Sequence, residues 1–193
     1  MGHLKHKNNM VWIDMEMTGL DPEKEGIIEV ATIITNCNLE ILAEGPNLVV
    51  HQTRKLLKGM DSWNQKQHAK SGLAEAVLKS KVTVKQAEKA TLDFIKQYCY
   101  PGKSSLCGNA VYHDRRFIIK YMPKIDKFLH YRLVDVTTVK LLSSYWYPKD
   151  KAVAPKKAES HRALDDIRES IEELRFYREN FFKESRSKVS ATD

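Results

Sequence analysis

Cysteine is scarce: Cys37, Cys99 and Cys107 are the only three among 193 residues. Their odd number, without CxxC spacing or a dense scaffold, argues against a disulfide framework and against structural zinc, and favours a reducing intracellular compartment. Long apolar runs are missing too. The run around Ile33 and Ile34 falls far short of the roughly 20 residues that a membrane-spanning helix needs, so no membrane partner is expected. The opening MGHLKHKNNM has no apolar core of a secretory signal. Internal repeats and low-complexity segments are also lacking.

What is present is ordinary globular material with a basic surplus. Hydrophobic residues make up 42% and charged residues 30% of the sequence, which fits one soluble domain with a substantial core. The formal charge of +7 suits a polyanionic partner, because Lys and Arg neutralise phosphates and release counterions. Many basic proteins nevertheless bind no nucleic acid. A single domain is expected over residues 10–182. Residues 1–9 read as a native extension or the remnant of an added tag, and 183–193 as a frayed polar tail.

From Met10 the pattern alternates, with Val11, Ile13, Met15 and Met17 on one face of a strand and Trp12, Asp14 and Glu16 on the other. IIEVATIITN and ILAEGPNLVVHQ read as two more strands, so a meander opens the domain. Short helices and loops carrying Trp63 follow over about 53–79. Thr83 and Gln86 form a capping-box signature before Ala87, Thr91, Phe94, Ile95 and Tyr98, which share a helical face. A short strand at SLCGN comes next. A helix from about His113 to Tyr121 is stopped by Pro123, and YRLVDV reads as a strand before a helix over about 138–145. Residues 152–159 form a lysine-rich loop, and Ser160 is placed to cap a final helix carrying Leu164, Ile167, Ile171 and Leu174. Strands first, then alternating helices and strands, imply an α/β fold with a mixed sheet flanked by helices.

Chemistry concentrates in four acids and a histidine spread over three segments: Asp14 and Glu16 in VWIDMEMTGL, Asp114 in GNAVYHDRRF, and His161 with Asp166 in SHRALDDIRES. Hard divalent cations want carboxylate oxygens, and two such cations can clamp the attacking and leaving oxygens of a phosphodiester. Asp14 and Glu16 could instead be the wet side of an edge strand, but the apolar residues around them point to a central one, where unpaired charge is costly. Asp114 near a helix start could simply complement the helix dipole. His161 and Asp166 are separated by about 140° on a regular helix, so His161 fits a loop or first turn, as a general base or as a plain surface histidine. Helical spacing leaves Asp165 and Asp166 equally eligible as ligand.

The ordered set resembles the exonuclease superfamily named for its DEDD acids, in the subgroup with a catalytic histidine, and within it the oligoribonuclease family. WIDMEMTGLDPEKEGIIEVATIIT, LEILAEGPNLVV, DSWN, CGNAVYHDRRF, KYMP, HYRLVDVTTVK and SHRALDDIRES carry the resemblance, over nearly the whole chain. It implies a ribonuclease-H-like fold and a homodimer that removes nucleotides from the 3′ end of very short RNA. It further implies two Mg²⁺ or Mn²⁺ ions held by Asp14, Glu16, Asp114 and Asp166, with His161 activating water; here the family pattern prefers Asp166 to Asp165. Substrate roles are implied for Leu20 as a wedge between bases and Trp63 as an aromatic platform, against core packing for either. His130 and Tyr131 would reach a neighbouring active site across the dimer, Tyr131 with a catalytic part, and Arg132 would hold a terminal phosphate; the alternative is an ordinary strand with a wet tip. Ala110 stands where the family commonly has a serine, which implies looser length selectivity or a greater reliance on Arg132. A related exonuclease for longer single strands, or an idle nucleic-acid-binding module, would carry the same fold. APKKAESHRALDD resembles eukaryotic members, some of them mitochondrial, which sets a mitochondrial site of action beside the cytoplasmic expectation.

Overall fold

The computed structural model describes residues 5–149 and 162–183. Strands β1 (Met10–Met17), β2 (Ile27–Thr35) and β3 (Ile41–Val49) form the expected antiparallel meander. β4 (Leu106–Gly108) and β5 (Leu133–Asp135) run parallel to β1 on its other side, giving the order β3-β2-β1-β4-β5. β1 is therefore central.

Helices cover both faces. α1 (Arg54–Gly59) and α3 (Leu73–Lys79) close over Ile28, with Leu57, Met60, Leu73 and Val77 packed on it, and α2 (Ser62–Lys70) packs on α3. α4 (Val84–Tyr98), α5 (Tyr112–Tyr121) and α6 (Pro123–Phe128) bury Ala87, Ile95, Phe117 and Ile125 against Val11, Ile13 and Met15. On the opposite face, α7 (Val136–Trp146) and α8 (Ala163–Phe181) pack Val136, Ile167 and Ile171 against Trp12, Ala31 and Ile33. The period-two alternation of β1 thus feeds two different cores, and it turns Asp14 and Glu16 toward the α8 side.

β2 has a neighbour at each edge and cover on each face, so every one of its nine residues is buried. Glu29 is among them. Trp12, also fully buried, donates its indole N–H to Thr35 Oγ1 at 3.0 Å, which keeps the polar end of a large side chain satisfied inside the core.

Local signals explain most boundaries. At α4 the capping box forms: Thr83 Oγ1 accepts from Gln86 N (3.3 Å) while Thr83 N donates to Gln86 Oε1 (2.8 Å). Pro123 departs from its expected role as a plain stop, because it also opens α6 as its first residue. A missing N–H costs nothing there, and Glu88 of α4 accepts the next one, from Lys124 N, at 2.6 Å. The stretch read as an N-terminal extension is partly tied down: His6 N and Asn9 Nδ2 both donate to the Tyr98 carbonyl, at 3.1 and 2.8 Å, satisfying an acceptor that the end of α4 leaves open. Ser160 lies outside the described residues. At the described start of α8 the N-cap position is Arg162, which makes no side-chain cap of its own.

Candidate active site

Asp14 and Glu16 stand near the carboxyl end of β1, and Asp166 projects from the first turn of α8. One carboxylate oxygen from each lies within 4.8 Å of the others. Asp114, in the first turn of α5, is buried and accepts the N–H of Met15 on Oδ1 at 2.9 Å. Met15 separates Asp14 from Glu16 in the chain, so the fourth acid is fastened to the same stretch of strand. Asp165 turns away: it pairs with Arg168 at 3.1 Å and its side chain is half exposed. The structure thereby separates the two acids that helical spacing could not.

The electrostatics are those of crowded like charges. Burial pushes the Glu16 carboxyl up to about 8, the charges of Asp166, Glu29 and Asp114 push the same way, and Arg162 opposes them. Burial likewise drives Asp114 well above the usual carboxylate range, the Met15 N–H bond opposing and Asp135 adding to the rise. A cluster of hard oxygen donors that resists ionisation on its own becomes favourable when a divalent cation neutralises it. The donor set therefore fits such an ion.

Beside Glu16 a groove of about 620 Å³ is lined by Met15, Met17, Gly19, Leu20, Asp61, Trp63 and Asn64. Leu20 is 58% and Trp63 60% exposed, so neither is a core residue. Asp61 caps α2 by accepting from Trp63 N (2.8 Å) and Asn64 N (2.9 Å), which fixes the indole at the helix start. Further along α2, the buried His68 donates from Nε2 to the Met17 carbonyl at 3.3 Å and ties this helix to the end of β1. Arg116 of α5 donates to the Leu20 carbonyl (3.1 Å) and steadies the loop from the other side. A larger hollow, about 940 Å³, sits by Met10, Leu39 and Arg178 at the start of β1 and holds none of the four acids.

His130, Tyr131 and Arg132 form a cluster of their own ahead of β5. Tyr131 is 73% exposed, stacks on His130 at 4.5 Å between ring centres, and has the Arg132 guanidinium 5.4 Å above its ring. β5 begins only at Leu133, so these three side chains belong to the turn and not to the strand expected over YRLVDV. Ala110 has a left-handed backbone (φ 47°), and its N–H is shared by Asp135 Oδ1 (3.0 Å) and Thr137 Oγ1 (2.9 Å). His161 lies outside the described residues.

Sequence reading passed over Glu29, Arg162 and Asp135. A lone acid inside the otherwise β-branched IIEVATIIT was the available signal for Glu29, since a charge in a buried strand demands a partner. Asp135 closes the apolar LVD and accepts from Ala110 N and Thr137 N, which anchors the turn leading into the Asp114 helix.

A mixed sheet with helices on both faces and acids gathered at the end of its middle strand defines the class, an exonuclease domain of ribonuclease-H-like fold. The exonuclease family (RNase_T) matches residues 11–174. The chain is 56% identical over 174 residues to the mitochondrial oligoribonuclease of Homo sapiens, covering 90% of this chain and 73% of that protein. It is 54% identical over 177 residues to an oligoribonuclease of Haemophilus influenzae, covering 92% and 97%. The chain belongs to the oligoribonuclease family of exonucleases. Among solved structures, exonuclease I from Methylocaldum szegediense (TM-score 0.65, 17% identity) and exonuclease I of E. coli complexed with single-stranded DNA (TM-score 0.68, 13% identity) share the fold. Each match covers 90% of this chain but only 41% of the exonuclease I chain. The exonuclease domain and the acidic cluster together point to divalent-metal use, and no described helix is long and apolar enough to cross a membrane.

Proposed function

We propose that this chain is a 3′-to-5′ exoribonuclease that reduces very short oligoribonucleotides, dinucleotides included, to mononucleotides. The observation that carries the reading is the convergence of Asp14, Glu16 and Asp166 beside a groove edged by Leu20 and Trp63. Asp14, Glu16, Asp114 and Asp166 would hold two Mg²⁺ or Mn²⁺ ions. Bound divalent cations supply Lewis acidity toward the scissile phosphate and neutralise charge developing on the leaving 3′ oxygen.

The chain's own groups do the rest. Trp63 offers a flat, sequence-tolerant surface for a base, and Leu20 an apolar edge that separates one base from the next. His161 takes the proton of the attacking water, a role that an imidazole titrating near neutral pH suits. Arg132 binds the phosphate at the far end of a short substrate, with His130 and Tyr131 stacked beside it on the base. With alanine at 110, only the backbone N–H is available at that position, and Asp135 and Thr137 already accept it. Length selection therefore leans on Arg132.

The working unit is a homodimer in which Tyr131 serves the neighbouring site. Support comes from β5, which among the described residues is an edge strand, and from Leu133, Leu141, Tyr145 and Trp146, large apolar side chains exposed on β5 and α7. A single exonuclease domain over 10–182, acting inside the cell in the cytoplasm or mitochondrion, completes the reading.

The test is a comparison of dinucleotide and long single-strand cleavage by the same preparation. Faster turnover of dinucleotides is expected; a preference for long RNA or DNA strands would assign the chain to a different exonuclease activity. Asp14→Ala should abolish turnover with the fold intact. Retained activity would overturn the assignment, and an inactive parent that still binds RNA would mark an idle binding module.

A further inference from the structure

One charged pair next to the acids has no part in the chemistry above. Glu29 is fully buried, sits opposite Glu16 in the β1/β2 register, and is held by Arg162. The guanidinium Nε reaches both carboxylate oxygens at 3.1 Å, and Nη2 reaches Oε1 at 2.7 Å. The Ala163 N–H adds a bond to Oε2 at 3.3 Å. Glu29 therefore does for α8 what no side chain of its own N-cap residue does: it satisfies an open donor and places negative charge at the positive end of a 19-residue helix.

We infer that Glu29, through Arg162, is a positioning residue that fixes the first turn of α8 and thereby sets Asp166 at cation-sharing distance from Asp14 and Glu16. The connection is short. The Arg162 carbonyl accepts from Asp165 N (2.9 Å) and Asp166 N (3.1 Å), so whatever holds Arg162 also holds the backbone of Asp166. Apolar contacts of Ile167 and Ile171 keep α8 on the sheet, and directional bonds hold its later turns, from Arg168 to Glu44, from Asn109 to Ser170 and Glu173, and from Arg175 and Arg178 to Leu39 and Asn38; the first turn, which carries Asp166, has Glu29. A forked ion pair between a buried strand and the helix start has one geometry. Glu29 is not a cation ligand itself, because four hydrogen bonds from Arg162 and Ala163 already occupy its oxygens. Charge tuning is not the pair's purpose either: at Glu16 its two members act in opposite senses. Buried ion pairs add little net stability over an apolar substitute, so a fixed register is what this one contributes.

This inference rests on the proposed cation-binding role of Asp14, Glu16 and Asp166, and Mn²⁺ titration of the metal-free full chain by calorimetry tests both. Glu29→Gln and Arg162→Lys are each expected to weaken Mn²⁺ binding by about 10- to 100-fold, as loss of an outer-shell partner does. The decisive variant is Glu29→Gln combined with Arg162→Gln, whose net charge equals the parent's and which leaves no buried ion unpaired. It should melt close to the parent yet remain at least about tenfold weaker for Mn²⁺. If its Mn²⁺ affinity returns together with its melting temperature, the pair is merely structural and the inference falls. Should Glu29→Gln alone not fold, the double variant and Arg162→Lys still decide. A parent that binds no Mn²⁺, or an Asp14→Ala variant that binds it as tightly, overturns the metal-site reading itself.

Discussion

Glu16 carries the clearest consequence at the scale of single residues. Its carboxyl is raised from 4.5 to about 8, first by burial and then by the surrounding acids. In the unfolded chain it loses its proton near its ordinary value, while the folded, metal-free site keeps it until about pH 8. A group raised in this way favours the fold fully below the unfolded value, and that contribution is lost as pH climbs through the folded one. Asp114, raised chiefly by burial, acts in the same direction. In chelator the melting temperature should therefore decline between about pH 5 and about pH 8, with a shallower decline in Glu16→Gln. Added Mg²⁺ should raise it more at the alkaline end, where these carboxyls ionise readily for a cation. A Mg²⁺ shift that is equal at both ends, or larger in acid, would contradict the description of these carboxylates.

Elements divide into those whose signals are local and those whose ends are set from afar. α4 is of the first kind, since Thr83 and Gln86 close its capping box and its buried face follows helical spacing. Thr83→Ala should cost about 1 kcal/mol in urea unfolding. Dinucleotide turnover should be unchanged, because α4 packs on the Val11, Ile13 and Met15 face while Asp14, Glu16 and the α8 helix with Asp166 lie on the other, and Asp114 is carried by α5. Lost turnover at near-parent stability would show that α4 communicates with the site. β1 was legible for the same local reason, as its alternation feeds two separate cores. α6 was not, because Pro123 reads as a stop whether or not a new helix starts on it. Nor could helical spacing choose between Asp165 and Asp166: the start of α8 is held by Glu29, 133 residues away from Arg162 in the chain. Trp63 was ambiguous because an indole among short helices fits a core or a groove equally; the cap at Asp61 and the cover over Ile28 leave it outside.

At the scale of the whole molecule, four acids spread along the chain from Asp14 to Asp166 meet because β1, central in the sheet, is flanked by α8 on one face and on the other by the α5 helix that follows β4. The other large-scale feature is the flank of β5 and α7 that presents Leu133, Leu141, Tyr145 and Trp146, exposed among the described residues. Sedimentation should find the parent dimeric and a Leu141→Arg, Trp146→Arg variant monomeric, with a folded spectrum and dinucleotide turnover down by about 100-fold, since Tyr131 would no longer reach a partner's site. A monomeric parent, or a fully active monomeric variant, would remove Tyr131 from catalysis. The most direct measurement concerns the acids themselves: anomalous diffraction from crystals soaked in Mn²⁺. Density is expected among Asp14, Glu16 and Asp166, with Asp114 alongside. Saturating Mn²⁺ that leaves this cluster empty, or that binds only elsewhere on the chain, would contradict the metal-dependent hydrolase.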